Sequence, residues 1–250
     1  MLKTKVLNKL FDFSCPSCYF HLMHERIAVT GSRGVIGSFL TPELSSDYQV
    51  TELSLLEVDV RDYGQVVEKL KGNRAVIHLA WNSKTENFRN GQKDPDNKLM
   101  AVNVYKASKE MGVERVIMAS SIHADDFYNW NFPPYLSVDH KPAPDSSYGE
   151  TKIEIEQVGK DFAKQGLEII CIRFGGINPK NEPPARDTPR DRVCYLSHND
   201  CISLIRAILK ADEIPDNFVL MYAVSDNEGR IHNISNPFGW VPKDGVKKLR

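Results

Sequence analysis

The 250-residue sequence has no apolar run long enough to cross a bilayer, and its charges nearly balance. A transmembrane helix needs roughly 20 consecutive apolar residues, and the formal net charge here is −1 at pH 7. Residues 1–22 also lack the continuous apolar stretch of a signal peptide. We therefore expect no membrane partner, no nucleic-acid partner and a cytoplasmic location.

Cysteine is sparse, with five residues in the chain. Cys171, Cys194 and Cys201 lie in apolar surroundings, which predicts buried free thiols. Cys15 and Cys18 form a CxxC pair, a spacing that also occurs in redox and zinc sites. No second pair follows at zinc-finger spacing, so we predict no metal site.

A glycine-rich segment follows the apolar run 26–29. Residues 30–37 read Thr-Gly-Ser-Arg-Gly-Val-Ile-Gly, with the spacing GxxGxxG rather than GxGxxG. A strand that turns at glycines and then opens a helix is typical of a dinucleotide site, because backbone N–H groups and the helix dipole face the phosphates. The predicted cofactor contacts in this turn are Gly31, Ser32, Arg33, Gly34, Val35, Ile36 and Gly37.

Strand and helix signals alternate from residue 23 onward, which predicts an α/β fold with a Rossmann-like, doubly wound parallel sheet. A small C-terminal substrate-binding region, mainly within 178–250, completes it, and residues 1–22 are expected to form a loosely ordered extension. The predicted strands lie near 27–30, 48–53, 56–58, 75–80, 115–119, 167–173 and 219–224. The predicted long loops span about 82–95, 122–147 and 178–192.

Tyr148 and Lys152 stand four residues apart on a predicted helix, so their side chains project from one face. A phenol has a pKa of about 10 and is a weak base at neutral pH. A nearby ammonium favours the phenolate and is expected to lower that pKa. Ser120 and Ser121 end the preceding strand and offer a hydroxyl for a substrate oxygen. The pattern predicts hydride transfer, with Tyr148 as the base.

These motifs resemble those of the extended short-chain dehydrogenase/reductase family, also called NAD-dependent epimerase/dehydratases, over residues 23–250. The resemblance rests on the glycine segment, Asp59-Val60, His78-Leu79-Ala80, Ser120-Ser121 and Tyr148-Gly-Glu-Thr-Lys152. It implies that Asp59 meets the adenine amino group and that Asn97 matches a helix asparagine of the family. The implied catalytic residues are Ser121, Tyr148 and Lys152. The implied further cofactor contacts are Ser54, Val60, Leu79 and Ala80, together with Tyr148 and Lys152.

Within that family the chain is most similar to uronate dehydrogenase-like sugar dehydrogenases. Residues 121–123, 195–200 and 238–244 carry this likeness. It implies oxidation of a sugar or uronic acid at the anomeric hydroxyl to a lactone, with an arginine fork for a carboxylate. Asparagine and serine of the relatives are replaced by Ile122 and Gly176, which leaves the sugar open. The implied substrate contacts are Ser83, Ile122, His123, Gly176 and Arg190.

The sequence leaves the choice between NAD and NADP open. An NAD site usually has an acidic residue about 20 residues past the glycines, where Ser54 stands here. Arg33 could pair with a 2′-phosphate, and these two features favour NADP. The resemblance to uronate dehydrogenases favours NAD.

Two other functions remain as alternatives. A nucleotide-sugar epimerase or dehydratase would use tightly bound NAD without net turnover, and an NAD(P)H sensor would share the fold without catalysis. An intact Ser-Tyr-Lys set argues against a sensor. The resemblance also implies a homodimer formed through the helices near 97–111 and 147–165.

Overall fold

The structure is a computed structural model that describes residues 25–83, 91–125, 136–185 and 189–246. These residues form six strands and six α-helices in alternation. The strands are β1 (Arg26–Thr30), β2 (Gln49–Leu53), β3 (Ala75–His78), β4 (Arg115–Ser121), β5 (Glu168–Phe174) and β6 (Phe218–Ala223). The helices are α1 (Val35–Leu44), α2 (Tyr63–Leu70), α3 (Pro95–Glu110), α4 (Ser147–Ala163), α5 (Pro189–Val193) and α6 (His198–Lys210). Short 3₁₀ turns span Ile122–Ala124 and Pro215–Asn217.

The six strands form one parallel sheet in the order β2-β1-β3-β4-β5-β6. Strand β1 lies between β2 and β3, so the direction of chain progression reverses beside it. Ligands of open α/β sheets bind at the carboxyl ends of the strands at such a switch point. The predicted Rossmann-like parallel sheet is confirmed, and the predicted glycine segment follows β1 at this edge.

Alternate residues of the strands feed two cores, one on each face of the sheet. Ile27 and Val29 pack with residues of α1 and α6 on one face. Ala28 packs with residues of α2, α3 and α4 on the other face. Side chains along a strand alternate between faces, so near-continuous apolar strands give a sheet covered by helices on both sides.

Side-chain caps define where several helices begin. Asp62 is the N-cap of α2, where its side chain accepts a hydrogen bond from the Gln65 backbone N–H (3.2 Å). The hydroxyl of Ser197 caps α6 in the same way. Gly112, with φ of +70°, follows the end of α3. Each cap satisfies backbone groups that a helix end leaves unpaired.

Two sequence predictions about local structure are wrong. Residues 56–58 do not form a strand; the chain turns there, and the N–H groups of Glu57 and Val58 both donate to the Ser54 carbonyl (2.9 Å each). Val58 is buried at this turn, which explains its apolar character. The segment predicted as a loop over 178–192 contains the start of α5.

Further sequence predictions concern the cysteines, membrane-spanning helices and metal sites. Cys171, Cys194 and Cys201 are buried free thiols, as predicted. Residues 1–22, with the CxxC pair at Cys15 and Cys18, lie outside the described residues. Within the described ranges, no helix is long and apolar enough to cross a membrane. No cluster of three metal-ligating side chains occurs in that part of the chain either.

Candidate dinucleotide and catalytic site

The glycine turn packs closely against the ends of the neighbouring strands. Gly31 has φ of +68°, and its N–H donates to the Leu53 carbonyl (2.8 Å). A Cβ on Gly31 would lie 2.7 Å from the Ala80 nitrogen, and a Cβ on Gly37 would lie 2.3 Å from the Gly31 oxygen. A Cβ on Gly34 would meet only the Gly31 oxygen, at 3.2 Å. Gly31 and Gly37 are therefore required by packing, whereas Gly34 leaves the turn open on its outer side.

The start of α1 has the features of a phosphate-binding helix end. Val35 and Ile36 form its first turn, which has no side-chain cap and no acidic residue. The Ser32 hydroxyl beside it is buried and has no hydrogen-bond partner among the described residues. Uncapped N–H groups, the helix dipole and an orphaned hydroxyl suit a diphosphate. The residues present therefore fit NAD or NADP.

Two cavities meet at the glycine turn, and both are lined by Gly31, Gly34, Leu79 and Trp81. The larger, of about 530 Å³, extends toward the end of β2, and the smaller, of about 370 Å³, extends toward α4. The predicted cofactor residues in the larger cavity's wall are Gly31, Arg33, Gly34, Ser54, Asp59, Val60, Leu79 and Ala80. The predicted residues in the smaller cavity's wall are Gly31, Gly34, Val35, Ile36, Gly37, Leu79, Ser83, Ser121, Tyr148 and Lys152.

Ion pairs shape the outer end of the larger cavity. Arg61 binds both carboxylate oxygens of Asp59, with the shortest contact at 2.7 Å, and also contacts Asp96 (3.1 Å). Hydrogen bonds from Arg61 lower the pKa of Asp59. The Asn103 side-chain amide donates to the Val60 carbonyl (3.0 Å) and so holds the backbone between Asp59 and Arg61. Arg61 and Asp96 both line this cavity; sequence reasoning missed them, although Arg61 stands two residues after Asp59.

The two residues that favoured NADP share one carboxylate in the structure. Arg33 contacts Glu57 at 2.7 Å, and Glu57 accepts hydrogen bonds from the Ser54 backbone N–H (3.1 Å) and hydroxyl. The hydrogen bond from the Ser54 hydroxyl is the main cause of a lowered pKa at Glu57. Glu57 therefore provides an acidic group at the tip of β2 although it lies three residues past Ser54.

A buried threonine joins the ends of β1 and β3 below the glycine turn. The Thr30 hydroxyl accepts from the N–H groups of Leu79 and Ala80 (3.2 Å each) and lies 2.7 Å from His78 Nδ1. Burial, with a smaller contribution from Lys152, lowers the pKa of His78 to about 3. A neutral His78 and Thr30 thus hold the backbone that lines both cavities.

Ser121, Tyr148 and Lys152 meet in the wall of the smaller cavity. The Tyr148 phenol is hydrogen-bonded to the Ser121 side chain. Lys152 Nζ donates to the Ala119 carbonyl (2.7 Å) and lies 3.7 Å from the centre of the Trp81 ring. The structure thus brings the three predicted catalytic side chains together and adds Trp81, whose ring also stands edge-on to Tyr148 at 5.0 Å.

The structure contradicts the expectation that Lys152 lowers the pKa of Tyr148. Burial raises the pKa of Tyr148, an effect that the hydrogen bond from Ser121 partly opposes and nearby Asp145 reinforces. Burial also lowers the pKa of Lys152 to about 7. Desolvation disfavours both charged forms, and at this site it outweighs the attraction that sequence spacing suggests.

Ser120 and Ser121 point in opposite directions because they are consecutive residues of a strand. Ser121 faces Tyr148, whereas the Ser120 hydroxyl donates to the buried carboxylate of Glu156. Gly149 explains how Tyr148 comes so close to this strand. A Cβ on Gly149 would lie 2.0 Å from the His123 carbonyl oxygen, so only glycine allows the first turn of α4 to approach the turn after β4.

The predicted substrate residues do not all line the cavity that holds Ser121, Tyr148 and Lys152. Ser83 lines the smaller cavity. Ile122 is buried in a cluster with Leu136 and Tyr222. It is not among the described residues that line the smaller cavity. His123 Nδ1 lies 2.6 Å from Asp145, and the His123 ring stands 5.6 Å from the Tyr148 ring.

The last two substrate candidates, Gly176 and Arg190, are not among the residues that line the cavity, although Gly175 and Ile177 on either side of Gly176 are. A Cβ on Gly176 would meet no atom within 4 Å, so a larger residue would have room there. Arg190 is partly buried on α5. Of the predicted substrate residues, the structure therefore brings Ser83 into one cavity wall with the predicted catalytic residues.

Comparisons with known proteins agree with this geometry. The model of the NAD dependent epimerase/dehydratase family matches residues 27–188. L-arabinose 1-dehydrogenase (NAD(P)(+)) of Haloferax volcanii is 28% identical, with 88% of this chain and 96% of that protein aligned. Uronate dehydrogenase of Pseudomonas putida is 29% identical, with coverages of 90% and 86%.

A solved structure is similar as well. Uronate dehydrogenase from Agrobacterium tumefaciens superposes with a TM-score of 0.76 at 23% identity, over 90% of this chain and 86% of that chain. At this identity the likeness is one of fold. The family model covers well over half of the chain, including the glycine turn and the residues around Tyr148. The chain therefore belongs to the NAD dependent epimerase/dehydratase family.

Proposed function

We propose that this protein is an NAD(P)-dependent dehydrogenase that oxidises the anomeric hydroxyl of an aldose or uronic acid to a lactone. The observation that carries the proposal is the Ser121–Tyr148 hydrogen bond beside Lys152, in a cavity continuous with the glycine turn. Relatives named as sugar dehydrogenases, aligned over nearly their full length, support the same reaction class.

Each side chain has a distinct role in this reaction. Ser121 holds the substrate oxygen, Tyr148 accepts the hydroxyl proton, and Lys152 would orient the ribose of the bound cofactor. The bound nicotinamide supplies an acceptor for the hydride that leaves the anomeric carbon. Loss of that hydride and of the hydroxyl proton leaves the carbonyl of a lactone.

Substrate selection would depend on residues at the outer edge of the cavity. Gly175 and Ile177 line it, and the β-bridge between Gly176 and Tyr195 connects this wall to the segment after α5. Arg190 on α5 could reach a substrate carboxylate from there with two parallel hydrogen bonds. The substrate-binding elements would then lie mainly within 178–250.

Absorbance of the reduced nicotinamide tests the reaction. Purified protein is mixed with NAD or NADP and with uronic acids, neutral aldoses and sugar phosphates, and a Tyr148→Phe variant serves as the inactive control. The expected result is that the wild type reduces NAD or NADP in the presence of a sugar and that Tyr148→Phe does not. Absence of reduction with every sugar, together with NAD that copurifies with the protein, would instead favour a nucleotide-sugar epimerase or dehydratase.

The role of Arg190 has its own test. Arg190→Met should raise KM for uronic acids and leave KM for neutral aldoses unchanged. Arg192→Met is the matched control, because Arg192 lies on the same helix and donates to the Pro184 carbonyl (2.8 Å). An equal effect of both variants on both substrate classes would count against a carboxylate site at Arg190.

The assembly and location of the protein are also proposals. We propose a cytoplasmic homodimer with no nucleic-acid partner, paired through α3 and α4. These helices pack side by side and carry charged outer residues such as Lys98 and Glu154, which contact each other at 2.9 Å. Sedimentation equilibrium of the wild type tests the dimer.

A further inference from the structure

Behind the catalytic residues lies a fully buried group of charges. Arg173 on β5 has no exposed surface. Its guanidinium binds Glu156 through two parallel hydrogen bonds, from Nε (2.9 Å) and Nη2 (2.7 Å), and it also binds Asp125. The Tyr222 hydroxyl donates to Asp125. Buried ions need partners of this kind, because desolvation is costly.

Each carboxylate of this group is attached to a segment that carries a catalytic or substrate residue. Glu156 lies one helical turn after Lys152 on α4 and accepts a hydrogen bond from Ser120, the neighbour of Ser121. Asp125 closes the 3₁₀ turn that begins after Ser121, with its N–H bonded to the Ile122 carbonyl (3.1 Å).

Asp125 also reaches the chain segment that leads into α4. Its carboxylate accepts from the Ala143 N–H (3.3 Å). The carboxylates of Asp125 and Glu156, joined by Arg173, therefore connect both ends of the segment between β4 and α4. This is the segment whose ends must be held for Ser121 to reach Tyr148.

The charges of the group do not cancel. Two carboxylates face one guanidinium, which leaves a net negative charge close to Lys152. The other ionisable groups that act on Lys152 or lie against it are His78 from β3, Cys171 from β5 and Tyr148 from its own helix. A neutral His78 and a buried thiol supply no negative charge at neutral pH, so Glu156 is the acidic neighbour that favours the Lys152 ammonium.

We propose that Glu156 and Asp125, joined through Arg173, are positioning residues that hold Lys152 and Ser121 in place, and that the Glu156 carboxylate, one helical turn from Lys152, favours the Lys152 ammonium. The inference rests on the proposed dehydrogenase function and adds residues that do not touch the reacting atoms. The electrostatic part is supported by the direction in which Glu156 raises the pKa of Lys152 against the effect of burial.

The first test compares Glu156→Gln with Glu154→Gln. Glu154 lies on the same helix and pairs with exposed Lys93 and Lys98, so it matches the chemical change without touching the buried group. NADH fluorescence titrations across pH are the readout. In Glu156→Gln the pH at which NADH affinity weakens should move lower, because Lys152 loses its acidic neighbour, and kcat should fall by on the order of tenfold to a hundredfold.

Two milder variants cover the case in which Glu156→Gln does not fold. Ser120→Ala removes the hydrogen bond to Glu156, and Tyr222→Phe removes the one to Asp125, while both keep the ion pairs of Arg173. Each should fold cooperatively, bind NADH within about twofold of the wild type, and lose kcat by about tenfold.

The possible outcomes distinguish failure of the positioning role from failure of the proposed dehydrogenase function. Folded variants with wild-type kcat and an unchanged pH dependence of NADH binding would overturn the positioning role. A wild type that reduces no cofactor with any sugar would overturn the proposed function. In that case the pH dependence of NADH binding in Glu156→Gln, compared with Glu154→Gln, still decides whether the buried group acts on Lys152.

Discussion

The closest backbone approach in the catalytic site makes Gly149 the most informative position to perturb. In Gly149→Ala the new Cβ would lie 2.0 Å from the His123 carbonyl oxygen and 2.8 Å from the carbon of the same carbonyl. Real Cβ atoms essentially never come within 3.0 Å of a heavy atom outside their own residue and its chain neighbours. The contacting atoms belong to the backbone, so no side-chain rotation relieves the contact, and α4 must move away from the turn after β4 by about an ångström.

This movement has a structural and a catalytic cost. Overpacking of this kind destabilises a protein by about 1–3 kcal/mol, and each kcal/mol lowers Tm by about 2–4 °C for a domain of this size. The same movement separates Tyr148 from Ser121, whose hydrogen bond joins the two elements. A displacement of about 1 Å can cost on the order of a hundredfold in kcat. The glycine turn lies on other elements and keeps its diphosphate-binding groups, whereas Lys152 moves with α4, so NADH affinity should weaken less than kcat.

Thermal unfolding, NADH titration and steady-state kinetics of Gly149→Ala check the three expectations. Gly64→Ala is the matched control, because Gly64 lies in α2 and its added Cβ would come no closer than 3.4 Å, to the Asp62 side chain. That variant should keep kcat and gain up to about 1 kcal/mol of stability. A Gly149→Ala protein with wild-type Tm and kcat would refute the argument from close approach.

Three further predictions concern Glu57, Asp62 and Lys152. Glu57→Gln should raise NADPH affinity relative to NADH, because it removes a carboxylate that would repel a 2′-phosphate and frees Arg33; an unchanged ratio in fluorescence titrations would contradict this. Asp62→Ala should lower the free energy of unfolding in urea by about 1 kcal/mol through loss of the α2 cap, and an unchanged midpoint would show that the cap contributes nothing. Burial lowers the pKa of Lys152 from 10.5 to about 7, so between these pH values the unfolded chain binds a proton that the folded one does not. The stability of the wild type relative to Lys152→Met should therefore rise as pH increases from about 7 to 10.5; urea denaturation showing a flat or falling difference would contradict the sign.

The features predicted correctly from the sequence depend on local signals. The glycine turn and the Tyr148–Lys152 pair each involve residues within a few positions of one another. Parallel-sheet topology follows from the alternation of such elements. Local patterns therefore sufficed for the fold and predicted the Tyr148–Lys152 pair that the structure brings together with Ser121 in one cavity wall.

The features that were missed depend on contacts between distant parts of the chain. Arg173 looks like an ordinary strand residue until the fold brings it against Asp125, 48 positions away. Trp81 and Lys152 lie far apart in sequence, yet one covers the other. The acidic group at the tip of β2 was missed because Glu57 turns back onto Ser54, where a third strand was expected. No periodic pattern reports such contacts.

The same distinction explains why the sequence misjudged the proton chemistry. Spacing alone places an ammonium near a phenol, and in water that would favour the phenolate. The fold buries both groups, so each tends toward its neutral form, and the balance depends on the few polar contacts that remain. Those contacts are Ser121 for Tyr148 and Glu156 for Lys152. The polar contact that favours the ionised form of the proposed base is therefore the Ser121 hydroxyl at the strand end, whereas Glu156 acts on Lys152.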